Sequence, residues 1–284
     1  MILSKALNIF VALLWVVPAT FALDRASMPA LQSVVEAEKA FARAGLERGI
    51  RESFLQFFAD ESIIFAPEPK DAKKFYTDYE EKGRKLIWQS IFATIANSAE
   101  LGVTTGPWEM QKSKTDGTSI AFGHFVSIWK KQSDNSWKVI LDVGIDHPQP
   151  AKPGEVQLSL PNATQSSDVE LAKREGQFEK TLKSDAGAAV LGSASQDIRV
   201  YRDGSFPAVG KDAARTLLDS DHGKTTRKTS GGHISTSGDL AYRYGSHVRA
   251  RGNAGEPGYY LTIWQTDRSG VWKIILDLEK KAGD

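Results

Sequence analysis

The sequence predicts an α+β protein built as two tandem domains, each a curved antiparallel sheet covered on one face by helices. Three observations carry this. The first is a hairpin written twice. Ile128-Trp129-Lys130-Lys131-Gln132 turns into Trp137-Lys138-Val139-Ile140-Leu141-Asp142, and Ile263-Trp264-Gln265-Thr266-Asp267 turns into Trp272-Lys273-Ile274-Ile275-Leu276-Asp277, with the same separation between the tryptophans. A fixed spacing repeated with the same side chains marks a duplication. The second is that helical periods precede the strand-rich stretch in both halves. The third is a Pro-rich stretch at the middle of 284 residues, a length that suits two domains with a core each.

The first 22 residues read as a secretory signal. Lys5 supplies the positive start, Ile9 to Val17 the apolar run, and Pro18 with Thr20-Phe21-Ala22 a small-residue cleavage site. The run is short for a bilayer span of about 20 residues. A periplasmic or secreted protein is therefore expected, with no membrane attachment after cleavage.

The first domain is expected over 27–146. Ser27 can cap a helix with Pro29 in its first turn. Leu31, Val34, Val35, Phe41, Ala42 and Leu46 then share one helical face. Ile50, Phe54, Phe57 and Phe58 mark a second helix, and Ser62 to Phe65 a short strand. Lys70 to Lys82, after two prolines, holds a short helix. Strands follow at Leu86 to Asn97, Leu101 to Lys112, Thr118 to Gln132 and Trp137 to Ile145. Their turns fall at Ser98-Ala99, Thr115-Asp116-Gly117 and Asp134-Asn135. Residues 147–166 have no apolar period and carry four prolines at 148, 150, 153 and 161, which reads as an exposed linker. The Asn162-Ala163-Thr164 sequon within it reads as chance.

The second domain, 167–284, repeats the order. Ser167-Asp168-Val169-Glu170 is a capping box. Leu171, Phe178 and Leu182 continue one helical face, and Asp197 to Tyr201 repeats the short strand. Lys211-Asp212-Ala213 echoes Lys70-Asp71-Ala72, and Gly238-Asp239-Leu240 answers Ala99-Glu100-Leu101.

Composition narrows the function. The formal charge is +1, so no basic excess points to nucleic acid. The chain has no cysteine, which excludes disulfides, thiolate metal sites and cysteine nucleophiles. His124, His147, His222, His233 and His247 have no ligand spacing among themselves, so no metal is expected. Nor is any cofactor, since phosphate-binding glycine loops and nucleophile elbows are both missing. The basic clusters Lys82 to Lys85 and Lys224 to Lys228 read as solvated faces.

Glu38-to-Phe41 and Glu175-to-Phe178, with the Trp-Lys-aliphatic-Asp strands Trp137 to Asp142 and Trp272 to Asp277, carry a resemblance. Each half resembles a nuclear-transport-factor-two-like domain, the cone-shaped superfamily that includes ketosteroid isomerase, scytalone dehydratase and SnoaL-like polyketide cyclases. The match is nearest to an uncharacterised SnoaL-like group, which also shares Thr105-Gly106-Pro107-Trp108; the second half has Tyr244-Gly245-Ser246-His247 there. The resemblance implies two tandem cone-shaped domains. It leaves the chemistry open, because one such fold hosts many activities.

The candidate residues follow, each with two readings. A two-residue turn would set Ser127 opposite Asp142 and Thr262 opposite Asp277. Either aspartate is then a general base or an acid satisfied across the strands. Glu38 and Glu175 sit on apolar helix faces, as proton carriers with raised pKa or as partners of backbone groups or of Arg on the sheet. His124 shares a face with Val126, Ile128 and Ile145, as an acid/base in the cone pocket or as a core histidine; its counterpart is Tyr259. Trp88, Trp108 and Tyr242 supply aromatic surface for a pocket or for ordinary core.

Three functions remain open: binding of a small apolar or amphipathic molecule in a cone pocket, which is favoured; an isomerase, dehydratase or cyclase; and an assembly domain without ligand. The two halves are also expected to pack as an intrachain pseudo-dimer. The hairpins are apolar on both faces, with Val126, Ile128, Val139, Leu141 and Val143 against Phe125, Trp129 and Ile140. On this reading Trp129 and Trp264 lie near the shared interface.

Overall fold

The structure, a computed structural model, describes residues 19–151, 154–160, 164–219, 221, 223–251 and 254–283. Residues 1–18 of the export segment, Pro153, Pro161, Asn162 and Ala163 of the sequon, and His222 lie outside the described residues.

The chain is α+β, two tandem cone-like units in which helices cover one face of a curved sheet. The first unit runs α1 (Ala19–Arg48), α2 (Ile50–Phe57), β1 (Phe58–Phe65), β2 (Pro69–Asp71), α3 (Ala72–Thr77), β3 (Lys85–Trp88), β4 (Phe92–Ile95), β5 (Leu101–Gln111), β6 (Ser119–Lys131) and β7 (Trp137–His147). Its sheet has the order β2-β1-β7-β6-β5-β4, with β3 also paired to β5. β1 joins β7 in parallel while the meander is antiparallel. The second unit repeats this as α4 (Asp168–Leu182), α5 (Ala186–Ser193), β9 (Ala194–Arg202), β10 (Ala208–Val209), α6 (Lys211–Leu218), β11 (Thr225–Ile234), β12 (Leu240–Arg251), β13 (Ala254–Thr266) and β14 (Trp272–Lys281). Between the units, β8 (Gln157–Ser159) closes the far edge of the first sheet.

Local chemistry accounts for three of the helix starts. Asp71 caps α3 by accepting from the Lys74 amide, Ser167 caps α4 through the Glu170 amide, and Asp185 caps α5 through the Ala188 amide. The first helix departs from expectation. It is already helical at Ala19, the first described residue, so Ser27 is buried within it and Pro29 lies inside rather than in the first turn. The expected single strand from Leu86 to Asn97 is two. At Gly106 a Cβ would stand 1.9 Å from the Gln89 carbonyl oxygen. The strand therefore crosses the bare glycine as an irregular step between β3 and β4.

The segment expected to be an exposed linker is partly built into the fold. β8 pairs in parallel with β4, setting Leu158 opposite Ala93. Val156, Leu158 and Leu160 pack against the helix-side core of the first unit. An edge strand offers unpaired amides and carbonyls, and a short apolar segment satisfies them.

The hairpins differ from the expected register in one instructive way. Each turn holds three residues, closed by Gln132 N–H to Ser136 O and by Asp267 N–H to Val271 O, at 2.8 and 2.9 Å. Asn135 and Gly270 take the left-handed position, with φ of 65° and 77°. A bulge follows in each: Trp129 faces Val139 while Ile128 faces Leu141, and Trp264 faces Ile274 while Ile263 faces Leu276. The extra turn residue and the bulge cancel. Ser127 still pairs with Asp142 and Thr262 with Asp277.

The bulge corrects the expected faces. Trp129, Val139 and Phe125 belong to the core between the first sheet and its helices, whereas Ile140 joins Val126, Ile128, Leu141 and Val143 on the opposite face. Trp264 packs on Phe178 with ring centroids 5.7 Å apart, also under its own helices. Both tryptophans are buried under their own helices, and neither belongs to the cluster to which both units contribute. The face away from the helices carries residues of both units in one buried cluster, including Val126, Ile128 and Leu141 with Tyr242, Leu261 and Ile263. Polar contacts rim it: Asn97 N–H to Asp239 Oδ2 at 2.9 Å, Thr236 N–H to Glu100 Oε1 at 2.7 Å, and Gln265 Nε2 to Thr94 Oγ1 at 3.2 Å.

Candidate functional site

The space between sheet and helices differs between the two units. In the first, α1 contributes Phe41, α2 Phe54 and α3 Tyr76; β3 contributes Trp88, β5 Trp108 and Met110, β6 Phe125, and β7 Asp142 and Gly144. Together they enclose an open cavity of about 280 Å³. Two glycines make room for its indoles. A Cβ on Gly45 would stand 2.6 Å from the Trp88 ring, and one on Gly144 would stand 3.2 Å from Trp108 Nε1.

The exposed Asp146 borders this cavity, and Asp142 is the half-buried carboxyl that faces its apolar wall. Ser127 Oγ donates to its Oδ2 at 2.6 Å. Burial pushes its pKa up to about 7, the Ser127 hydrogen bond opposes the rise, and the Glu38 charge adds to it. Tyr76 borders the same cavity. Its phenol is held well above the ordinary value, first by burial and then by the neighbouring Asp142. An acid that titrates near neutrality beside a neutral phenol can take up or release a proton at physiological pH.

Glu38 stands behind the wall rather than in it. It is buried and accepts from Trp88 Nε1 at 2.7 Å, Trp129 Nε1 at 3.1 Å and Thr104 Oγ1 at 2.6 Å. Burial raises its pKa, and these hydrogen bonds pull the other way. Three donors converging on one carboxyl orient Trp88 toward the cavity and leave Glu38 little access to a ligand.

In the second unit the corresponding place is occupied by side chains. Arg227 takes the strand position that Trp88 holds in the first: Trp88 pairs with Trp108, and Arg227 with His247. Its guanidinium donates to Thr262 Oγ1 at 2.8 Å, Asp277 Oδ1 at 3.0 Å and Glu279 Oε1 at 2.8 Å. It lies over the Tyr260 and Phe178 rings, 4.4 and 5.1 Å from their centroids. Arg202 also reaches Asp277, at 2.7 Å. Burial alone would raise the Asp277 pKa, but Arg227 and Arg202 outweigh it and hold the carboxylate below its ordinary range. Glu175 pairs with Arg243 Nε at 3.0 Å. The space left beside Phe178, Tyr260 and Trp264 is about 40 Å³. Beyond the plug, the mouth is a polar recess of about 270 Å³ that includes His247, Arg249 and Lys281.

Of the residues singled out from sequence, Asp142, Trp88 and Trp108 come together at the first cavity. His124, Tyr242 and Tyr259 do not: they lie on the opposite sheet face. His124 Nδ1 is 2.9 Å from His147 Nε2, its ring is 5.8 Å from Tyr201, and burial followed by the His147 charge lowers its pKa to about 4. Tyr242 is buried in the cluster shared by the two units, and Tyr259 packs against that cluster 6.4 Å from Phe65. Strand alternation explains the outcome. His124 does share a face with Val126, Ile128 and Ile145, but that face turns away from the helices.

Phe41, Phe54, Tyr76, Met110 and Phe125 complete the cavity and were not singled out. The cluster Lys224 to Lys228, read as solvated, contains the buried Arg227, whose side chain is 2% exposed. The alternation Thr225, Arg227, Thr229 is the signal that could have found it. Among the described residues, no group of three His, Cys, Asp or Glu could hold a metal ion. Likewise no helix there is long and apolar enough to cross a membrane.

No family model and no curated protein matches the sequence. Solved structures do. A ketosteroid isomerase-like protein from Erwinia carotovora atroseptica SCRI1043 is similar at TM-score 0.35 and 16% identity, over 41% of this chain and 96% of that one. An NTF-2 like protein of unknown function from Shewanella oneidensis MR-1 is similar at TM-score 0.33 and 15% identity, over 39% and 96%. ActVI-ORFA from Streptomyces coelicolor is similar at TM-score 0.33 and 12% identity, over 40% and 96%.

Proposed function

We propose that the first unit binds a small molecule with an apolar body in its cone, and that the second unit serves as its plugged partner. One observation carries the reading: an open cavity of about 280 Å³, walled by aromatic side chains with Asp142 half-buried among them, whereas in the second cone Arg227 leaves about 40 Å³ beneath a polar, charge-lined recess. Apolar pockets with few polar groups are the usual form of ligand sites. Calorimetric titration with neutral and charged indoles tests it. Binding is expected in the wild type and lost in Met110→Trp, which fills the cavity. Retention of binding in that variant would place the site elsewhere.

A second reading is favoured by Asp142 and Tyr76 sharing the cavity. There Asp142 shuttles a proton on the bound molecule, as an isomerase, dehydratase or cyclase requires. The proposal extends to the setting of the chain. Units at 27–146 and 167–284 form an intrachain pseudo-dimer, supported by the apolar cluster to which both contribute. The chain is exported and cleaved near residue 22, supported by the charge and apolar pattern of its first residues.

A further inference from the structure

We propose that the ligand of the first cone is an organic cation: an amine or quaternary ammonium group on an aromatic or apolar body. This rests on the reading that the cavity binds a small molecule, and it adds the charge of that molecule.

The first argument is the charge of the lining. Asp142 and Asp146 border the cavity, and among the described residues no Lys, Arg or His lines it. Glu38 adds a third carboxyl behind the wall. The second is the wall itself. Phe41, Tyr76, Trp88, Trp108 and Phe125 surround the acid with ring surface, and rings attract a cation through their negative faces.

The third argument comes from the duplication. The second cone already holds an organic cation, the Arg227 guanidinium, and its receptor can be matched position by position. Thr262 and Asp277, which hydrogen-bond it, correspond to Ser127 and Asp142. Tyr260 and Phe178, which stack around it, correspond to Phe125 and Phe41. The first cone therefore keeps the receptor and lacks the cation, because Trp88 stands where Arg227 does. Glu279, the guanidinium's other carboxylate, is replaced by Gly144, which borders the open space. The two aspartates differ accordingly. Asp277, with arginines beside it, is held low, and Asp142, with none, is pushed up. A cationic ligand would supply to Asp142 what Arg227 supplies to Asp277.

Tryptamine, its neutral analogue tryptophol and the anion indole-3-acetate share one ring and differ in charge. Titrated calorimetrically at pH 8.5, tryptamine is expected to bind about tenfold or more tighter than tryptophol, and indole-3-acetate weakest. The advantage shrinks at pH 6 as Asp142 takes up a proton, with Glu38 on α1, Tyr76 on α3 and Asp146 on β7 as the other titratable groups facing it. Asp142→Asn should abolish the advantage, bringing tryptamine to the affinity that the same variant has for tryptophol. Trp88→Arg, which builds the second cone's guanidinium into the first, should exclude tryptamine. Equal binding of tryptophol and tryptamine by the wild type overturns the inference alone, as does a tryptamine advantage that survives Asp142→Asn. Binding of none of the three removes the small-molecule reading itself, and the inference with it.

Discussion

Asp142 shows how one carboxyl can be read from sequence and still be misjudged. Its pairing with Ser127 follows from strand register alone, and a pairing of that kind ordinarily marks a satisfied structural acid. What changes its character is that no cation neighbours it among the described residues, so burial raises its pKa to about 7. Because the folded value lies above the unfolded value of about 4, the fold favours the neutral form. The carboxyl is harmless below pH 4, and its ionisation costs stability progressively as pH rises toward 7. Asp142→Asn should therefore raise stability at pH 8 by roughly 1–3 kcal/mol and leave it nearly unchanged at pH 4. Thermal melts at the two pH values check this; an equal shift at both would show that ionisation is not the cause.

At the scale of elements, the two cones show the same strands used in opposite ways. β3 directs Trp88 at Glu38 and leaves the cone open, whereas β11 directs Arg227 into an ion network with Asp277 and Glu279. The guanidinium is 2% exposed and the carboxylates 0% and 5%, so each charge depends on the other for its solvation. Arg227→Met should destabilise the second unit by about 3–5 kcal/mol, since it leaves two buried carboxylates under-compensated. Urea unfolding at pH 7 measures the loss, and part of it should return at pH 4 as the carboxylates protonate. A neutral or stabilising outcome would mean that Arg202 suffices alone.

At the scale of the whole molecule, each unit has a helix-side core of its own and residues in one further cluster to which both contribute, and charged substitutions can tell these apart. Trp129 is fully buried under the helices of its own unit, next to Glu38 and Thr104. Ile263 is equally buried but belongs to the cluster shared by the units. Trp129→Asp should unfold the first unit. If the units pair as proposed, Ile263→Asp should loosen that pairing while each unit keeps its own helix-side core. Small-angle scattering with amide exchange separates the cases: an expanded particle with protected amides in both units is expected for Ile263→Asp. Loss of protection throughout the second unit would show that the shared cluster is also part of its folding core.

The α+β class, the duplication and the Ser127–Asp142 and Thr262–Asp277 pairs were legible in the residues, because strand alternation and repeated spacing act over a few neighbours. Even the turn, read as one residue too short, left those pairs correct, since a compensating bulge restored the register. The faces were not legible. Whether Trp129 meets helices or the other sheet depends on that bulge at Ile140 and on the Glu38 carboxyl waiting for its indole, a contact 91 residues apart in sequence. Which cone stays open was decided at the same range. A single strand position holds Trp88 in one unit and Arg227 in the other, and only the folded core determines whether that side chain frames a cavity or fills it.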